Sequence, residues 1–196
     1  MIAWRTVRLR PFHERDLPLL RAWFDDPELM RFWGMPSSPV VDQRFAEDLT
    51  GRFSRFDDAG YFAIDLINGT TIGRVDFERL STETRSAEVM IIIGDRTARG
   101  KGYGTDAMVA VLRYLFHTRN LHRVSLNVLA WNVRAIRSYE KTGFTVEGRL
   151  RDDLFFDGGY HDQIVMSILR HEFDARWPTD ENAARDTGGE APVTPG

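Results

Sequence analysis

A short segment that alternates glycine with charged and aromatic residues carries the clearest chemical signal in this sequence. Residues 99–104 read Arg-Gly-Lys-Gly-Tyr-Gly and lie between an apolar run and a helical pattern. Glycines at such a junction let the backbone approach a ligand, and the free N–H groups at the start of a helix attract anions. Arg99 and Lys101 would add positive charge. The segment therefore predicts a pyrophosphate site, and a tight turn that binds no ligand is the alternative.

Two common phosphate-binding motifs do not fit this segment. A Walker P-loop needs a lysine followed by serine or threonine, whereas Lys101 is followed by Gly102. A Rossmann fingerprint needs an acidic residue near the end of the next strand, and residues 124–131 contain neither aspartate nor glutamate. Both classes of nucleotide site are therefore excluded here.

The remaining pattern resembles the acetyl-CoA site of the GNAT N-acetyltransferase superfamily. The spacing of Arg99, Gly102 and Gly104 matches its Arg/Gln-x-x-Gly-x-Gly/Ala signature. Residues 87–93, Ala-Glu-Val-Met-Ile-Ile-Ile, look like the fourth strand of that family. Residues 132–144 look like its helix, with an asparagine first and Tyr-Glu-Lys-x-Gly-Phe at the end.

The resemblance extends further along the chain. Residues 155–160, Phe-Phe-Asp-Gly-Gly-Tyr, are similar to the last hairpin of the spermidine and ribosomal-protein alanine N-acetyltransferases. The similarity covers about residues 5–173. It implies an α/β (α+β) fold: a mixed, mostly antiparallel sheet of about seven strands, flanked by helices, with a central β-α-β unit that binds acetyl-CoA.

The resemblance also implies which residues hold the acetyl donor. Backbone groups of the isoleucines at 91–93 would pair with the pantetheine arm as a strand does, and one of their N–H groups would polarise the thioester carbonyl. Asn132 would contact pantetheine, or would only cap the helix after it. No metal ion is expected. The implied donor-binding residues are Ile91, Ile92, Ile93, Arg99, Gly100, Lys101, Gly102, Tyr103, Gly104, Thr105 and Asn132.

Two residues have the side chains that acetyl transfer to an amine needs. Glu88 begins an otherwise apolar strand, where burial would raise the pKa of its carboxyl and suit it as a general base. Its alternative role is an ion pair with an arginine such as Arg74 or Arg85. Tyr139 has a hydroxyl that can donate to the departing thiolate, and the resemblance implies this general-acid role. A purely structural place on the apolar stripe of its helix is the alternative.

The amine acceptor is less well defined. Phe32 and Trp33 would line its pocket or pack the first two helices together, and the sequence favours neither role. Bacterial spermidine acetyltransferases carry clustered glutamates after the first helix, whereas residues 32–37 read Phe-Trp-Gly-Met-Pro-Ser. The predicted acceptor is a small-molecule amine (polyamine-like, an amino acid derivative or an antibiotic) or a protein N-terminus. A non-catalytic domain that only binds acetyl-CoA is the competing hypothesis; the presence of both Tyr139 and Glu88 favours the enzyme.

The elements that must position these residues follow from hydrophobic periodicity. It predicts strands over residues 4–10, 61–67, 71–77, 87–93, 122–129, 144–156 and 160–169. It predicts a helix that begins near Glu14 and includes Phe24, further helices over residues 41–56, 105–118 and 133–142, and a loop over residues 26–39. The Asn68-Gly69 pair predicts a hairpin between the second and third strands.

Composition limits the remaining function classes. The 196 residues include 26 basic and 29 acidic side chains, a balance that does not suggest a nucleic-acid partner. Residues 178–196 hold four acidic residues and one basic one, which accounts for the net charge and predicts a disordered tail after one domain, residues 1–177. The chain has no cysteine, so acetyl transfer must be direct. Neither a membrane segment nor a signal peptide is visible, so we expect a cytoplasmic protein, with a homo-oligomer formed through its last hairpin.

Overall fold

The computed structural model of the chain describes residues 1–34 and 59–178, which form eight strands and five α-helices. The strands are β1 (Ile2–Trp4), β2 (Val7–Pro11), β3 (Gly60–Leu66), β4 (Thr71–Ser81), β5 (Ser86–Ile93), β6 (Arg123–Leu129), β7 (Thr145–Phe156) and β8 (Gly159–Leu169). The helices are α1 (Leu17–Phe24), α2 (Pro27–Trp33), α3 (Tyr103–Arg113), α4 (Val133–Thr142) and α5 (Arg170–Arg176). The helix predicted over residues 41–56 lies outside the described residues, as does the predicted tail apart from Pro178.

The eight described strands form one sheet in the order β1-β2-β3-β4-β5-β6-β8-β7. Neighbouring strands are antiparallel except β5 and β6, which run parallel on either side of the connection that contains α3. The predicted mixed, mostly antiparallel sheet and its central β-α-β unit are therefore confirmed.

The start of the chain differs from the prediction. Residues 4–10 do not form one strand, because the chain turns at Arg5, where φ is 45°, and β1 pairs back on β2. Arginine is not among the usual turn residues, so the alternation of side chains concealed this hairpin.

Helices cover both faces of the sheet, and β5 contributes side chains to each of the two cores. One face, which we call the α3 face, buries Val75, Phe77, Val89, Met108 and Leu112. The opposite face, which we call the α1 face, buries Leu20, Trp23, Tyr61, Ala63 and Ile92. Burial on both sides explains why β5 is an almost continuous apolar run.

The loop predicted over residues 26–39 is wrong for residues 27–33, which form helix α2. The side chain of Asp26 accepts a hydrogen bond from the backbone N–H of Glu28 at 3.1 Å and caps the helix, and Pro27 occupies the first turn. Gly34 ends the helix with a φ of 68°. Pro27 and Gly34 are therefore boundary signals of a short helix here rather than marks of a loop.

Candidate active site

Strands β5 and β6 separate part-way along their length. They pair in parallel at three positions, the last of which joins Glu88 to Ser125. Beyond Glu88, β5 continues to Ile93 paired with β4 alone among the described strands. The edge of residues 89–93 that faces β6 is therefore open to an extended ligand that pairs as a strand does.

The glycine-rich segment lies directly after this open edge. Gly100 and Gly102 have φ values of 78° and 89°, a region that side-chain-bearing residues rarely adopt. A Cβ atom added at either position would meet no heavy atom within 4 Å. Gly102 is the N-cap of α3, so the free N–H groups of the first turn of that helix lie beside open space. The segment thus combines room for an anion with donors that can bind it.

Arg99 makes several contacts within the protein. Its side chain is only 10% exposed. Its Nε donates to the backbone carbonyl of Ile93 at 3.0 Å, and its Nη2 donates to the carbonyl of Gly94 at 2.8 Å and to Oδ2 of Asp26 at 2.9 Å. The guanidinium therefore joins the end of β5 to the start of α2, and its contact with a pyrophosphate stays a prediction. The Ile93 carbonyl, predicted to pair with pantetheine, already has this donor.

Asn132 caps helix α4, as one of its two predicted roles requires. Its Oδ1 accepts from the backbone N–H of Ala135 at 3.2 Å, and its Nδ2 donates to the carbonyl of Phe32 at 3.4 Å. The amide thus links α4 to α2. Contact with pantetheine stays a prediction.

Tyr139 lies on α4, on the α3 face of the sheet. Its ring packs edge-on against Phe144, with centroids 5.9 Å apart, and burial raises the pKa of its hydroxyl to about 12. That hydroxyl forms no hydrogen bond with the part of the chain that the structure describes. The preceding residue, Ser138, contacts the hydroxyl of Thr105 in the first turn of α3 at 3.0 Å. The turn that carries Tyr139 is therefore held against the helix that follows the glycine-rich segment.

Glu88 lies on the α1 face, since its cross-strand partner is Glu78 and the register continues to Ile92 on that face. Its carboxylate pairs with the exposed Arg79, Nη1 to Oε2, at 2.6 Å, and its side chain is 29% exposed. Neither arginine expected from the sequence is this partner: Arg85 donates to the backbone and side chain of Asn120, and Arg74 lies beside Asp76. An exposed ion pair of this kind adds little stability.

The model of the acetyltransferase (GNAT) domain matches residues 6–145 of this chain. The chain belongs to the GNAT acetyltransferase family. Membership confirms the predicted fold and the predicted activity, transfer of an acetyl group from acetyl-CoA to an amine.

Among curated relatives of this GNAT enzyme, the spermidine N(1)-acetyltransferase of Escherichia coli K12 is 31% identical over 89% of this chain and 91% of its own length. The [ribosomal protein uS5]-alanine N-acetyltransferase of the same organism is 31% identical over 82% and 86%. The crystal structure of the spermidine N-acetyltransferase of Vibrio cholerae, in complex with CoA and spermine, covers 86% of this chain and 98% of its own with a TM-score of 0.78 and 28% identity.

Two charged residues of this GNAT domain are buried on β4, the strand next to β5, and the sequence indicated only one of them, Arg74, as a possible partner of Glu88. Arg74 and Asp76, on β4, are opposite Ala63 and Tyr61 of β3 and therefore on the α1 face. They are 5% and 3% exposed. Burial raises the pKa of the Asp76 carboxyl to about 7, against the opposing effect of Arg74. Their alternate positions along β4 do not reveal this burial from the sequence, because the same pattern is typical of a strand face that meets solvent.

The two predicted acceptor residues have different surroundings. The ring of Trp33 packs against Phe24, with centroids 5.5 Å apart, and joins the core between α1 and α2. Phe32 is exposed at the end of α2, and its carbonyl accepts the hydrogen bond from Asn132. Packing therefore accounts for Trp33, whereas the side chain of Phe32 is exposed.

Proposed function

We propose that this GNAT enzyme transfers acetyl directly from acetyl-CoA, bound between β5 and β6, to a primary amine that approaches from the α1 face. The acceptor belongs to a small molecule (polyamine-like, an amino acid derivative or an antibiotic) or to a protein N-terminus. The observation that carries the proposal is the separation of β5 from β6 after Glu88, directly before the glycine-rich segment. The open edge lies where a pantetheine arm can pair and the glycines lie where a pyrophosphate can bind.

The donor would be held mainly by backbone groups. N–H groups of the first turn of α3, from Tyr103 to Thr105, would bind the pyrophosphate, with Lys101 adding charge. The edge of Ile91 and Ile92 would pair with the pantetheine arm, and a backbone N–H there would polarise the thioester carbonyl.

Glu88 has a role on the acceptor side. An alkylamine with a pKa of about 10.4 is protonated at neutral pH, and removing its proton at pH 7 costs roughly 4.6 kcal/mol. Glu88, directly or through water, would accept that proton so that the neutral nitrogen can attack the thioester carbon. The C–N bond then forms and the C–S bond breaks.

Tyr139 has a role on the donor side. The thiolate that leaves has a conjugate pKa of about 8.5, below the value of about 12 for Tyr139. Complete proton transfer from the phenol would be unfavourable, so the hydroxyl would stabilise the thiolate as a hydrogen-bond donor, and the proton taken from the amine would finally neutralise it. A phenol that stays protonated and has no hydrogen-bond partner among the described residues is suited to this task.

The test is release of CoA from acetyl-CoA across amine classes: polyamines, amino acids, aminoglycosides and peptides with free N-termini. We expect at least one class to be acetylated with stoichiometric release of CoA. Calorimetry should show binding of acetyl-CoA at millimolar concentrations or below. Binding without acetylation of any amine would support the non-catalytic domain instead, and absence of binding would contradict both.

We also propose that two copies of the chain associate through β7, in the cytoplasm, where acetyl-CoA is available. Among the described strands, β7 pairs with β8 alone and forms an edge of the sheet. Phe155 and Tyr160, in contact at 5.1 Å between ring centroids, are exposed on this hairpin. Light scattering should give at least twice the 22.6 kDa of one chain; a particle of single-chain mass would contradict the association.

A further inference from the structure

The buried pair formed by Arg74 and Asp76 leaves hydrogen-bonding groups without partners. Nε and Nη1 of Arg74 and Oδ1 of Asp76 are inaccessible to solvent and make no hydrogen bond with the part of the chain that the structure describes. Nε lies 2.8 Å from Oδ2 of Asp76, but the contact lacks hydrogen-bond alignment. Buried polar groups are normally satisfied, and an unsatisfied one is costly.

Another largely buried arginine of the same chain, Arg10, has hydrogen-bond partners for its donors. Arg10 donates from Nε to Asp65 and from Nη1 and Nη2 to the two carboxylate oxygens of Asp16, at 2.6 to 2.8 Å. Its Nη2 also donates to Thr71. Arg10 and Arg74 therefore differ in how fully their donors are satisfied.

The position of the pair relates it to the acceptor side of the site. Asp76 lies opposite Met90 and Arg74 lies opposite Ile92, so both lie on the α1 face next to β5, the strand whose free edge we assign to the donor. Met90 is 44% exposed, whereas Ile92 is 3% exposed. Side chains directly opposite one another have Cβ atoms about 5 Å apart. Met90 is therefore the exposed neighbour of Asp76, and Arg74 lies two residues further along β4.

We propose that Arg74 and Asp76 select an amine acceptor whose amine-bearing carbon also carries a carboxylate. This inference rests on the proposed acetyl transfer. The free donors of Arg74 would bind the carboxylate, and Oδ1 of Asp76 would hold the ammonium group before it loses its proton. An α-amino carboxylate supplies one charge of each sign, so the buried net charge does not change when it binds.

Other acceptors complement the pair less well. A polyamine supplies only N–H donors and positive charge, which would leave Arg74 unsatisfied and place a like charge beside it. A peptide N-terminus supplies a neutral carbonyl in place of the carboxylate, so it would satisfy the hydrogen bonds of Arg74 but not its charge. The pair therefore ranks the free amino acid above the peptide, and the peptide above the polyamine.

The experiment compares acceptors that differ only in the group beside the amine. For amino acids with several different side chains, kcat/KM is measured for the free amino acid, for its amide and for the amine that lacks the carbonyl carbon. Spermidine is measured as well. Each value is corrected for the fraction of the amine that is neutral. We expect the wild-type enzyme to prefer the amino acid over the simple amine by at least about 10-fold. The R74M variant should reduce that preference to within about 3-fold.

The matched control is R10M, which removes a largely buried arginine that is fully hydrogen-bonded. It should lower the melting temperature but leave the preference among the three acceptors unchanged. If R74M does not fold, the wild-type preference alone decides, and D76N, which keeps the shape of the side chain, should weaken it.

Three results would overturn the inference: equal use of the three acceptors by the wild type, a preference for spermidine, or an unchanged preference in R74M with a loss of stability like that of R10M. In these cases acetyl transfer still occurs and the proposed function stands. If acetyl-CoA binds and no amine is acetylated, the proposed function itself fails, and this inference fails with it.

Discussion

The guanidinium of Arg99 and the carboxylate of Asp26 lie 2.9 Å apart and join the glycine-rich segment to helix α2. The same carboxylate accepts from Nε and Nη2 of Arg96 at 3.0 and 2.6 Å and caps α2 through the N–H of Glu28. These contacts with Arg96 and Arg99 hold the pKa of Asp26 well below its usual range. One largely buried carboxylate thus fixes the donor segment against the helix that carries Phe32.

Replacing Asp26 by asparagine should loosen this connection. The variant keeps a capping oxygen but loses the charge that Arg96 and Arg99 face, so we expect the free energy of unfolding to fall by about 1–3 kcal/mol. We also expect KM for acetyl-CoA to rise while kcat changes less. Urea denaturation and steady-state kinetics measure the two effects.

Asp25→Asn is the control. The side chain of Asp25 is next to Asp26 in the sequence, but it is exposed and makes none of the contacts described for Asp26. Equal effects of the two substitutions on stability and on KM would show that Asp26 does not connect the two parts of the site.

Gly102→Ala should disturb the donor segment through its backbone. A φ of 89° costs an alanine roughly 1–2 kcal/mol, although its Cβ would meet no other atom. We expect a lower melting temperature and at least about a 10-fold weaker affinity for acetyl-CoA in calorimetry, since relief of the strain would turn the N–H groups away from the anion.

Gly69→Ala is a closely matched control. Gly69 has a φ of 87° and equally open surroundings, but it lies in the hairpin between β3 and β4. It should lose similar stability and keep its affinity for acetyl-CoA. If both variants bind acetyl-CoA as the wild type does, the glycine-rich segment is a turn and not a pyrophosphate site.

The sequence predicted the parts of the site that depend on local backbone requirements. The residues on either side are sufficient to predict the roles of Gly100, Gly102 and the Asn132 cap. The apolar run of β5 likewise indicates that this strand is buried on both faces. The direction of the Arg99 side chain could not be predicted in this way. Its partner Asp26 is 73 positions away in the chain, so the contact depends on how α2 docks against the end of β5.

The same limit applies to Arg74 and Asp76. Alternation along β4 places both on one face, but charged residues at alternate positions are typical of a face that meets solvent. Only the docking of α1 and α2 on the sheet makes that face an interior. Which of Trp33 and Phe32 is packed in the core and which is exposed likewise depends on where α1 lies.

Glu88→Gln should slow acetylation of amines with a high pKa. If Glu88 removes the proton, we expect kcat/KM to fall by about 10²-fold or more for an alkylamine and by less for an amine with a lower pKa. CoA release at several pH values measures this difference, which should shrink at alkaline pH where the free amine is already present.

Arg79→Gln separates this role from the ion pair. It breaks the contact between Arg79 and Glu88 but keeps the carboxylate. A loss of rate in Arg79→Gln equal to that in Glu88→Gln would mean that the ion pair, and not a general base, accounts for the effect.

Asp76 should make stability depend on pH in an unusual direction. Its folded-state pKa of about 7 lies above the ordinary value of 3.8, so the folded protein binds this proton more tightly than the unfolded chain. The stability that the neutral carboxyl provides is complete below about pH 4 and is lost as the pH rises through about 7.

We therefore expect the free energy of unfolding of the wild type, relative to that of Asp76→Asn, to decrease by at least about 1 kcal/mol between pH 4 and pH 7.5. Urea denaturation of both proteins across this range provides the measurement. A difference that increases with pH would mean that Arg74 holds the carboxyl ionised in the folded protein.

The most direct test of the central claim is single-turnover acetyl transfer by Tyr139→Phe with acetyl-CoA bound. The substitution removes only the hydroxyl that we propose to stabilise the leaving thiolate, so we expect an unchanged Kd for acetyl-CoA and transfer at least about 10²-fold slower. Tyr114→Phe, whose hydroxyl accepts from Arg119 at 3.3 Å, should transfer at the wild-type rate. Transfer by Tyr139→Phe at the wild-type rate would contradict the account of the donor side.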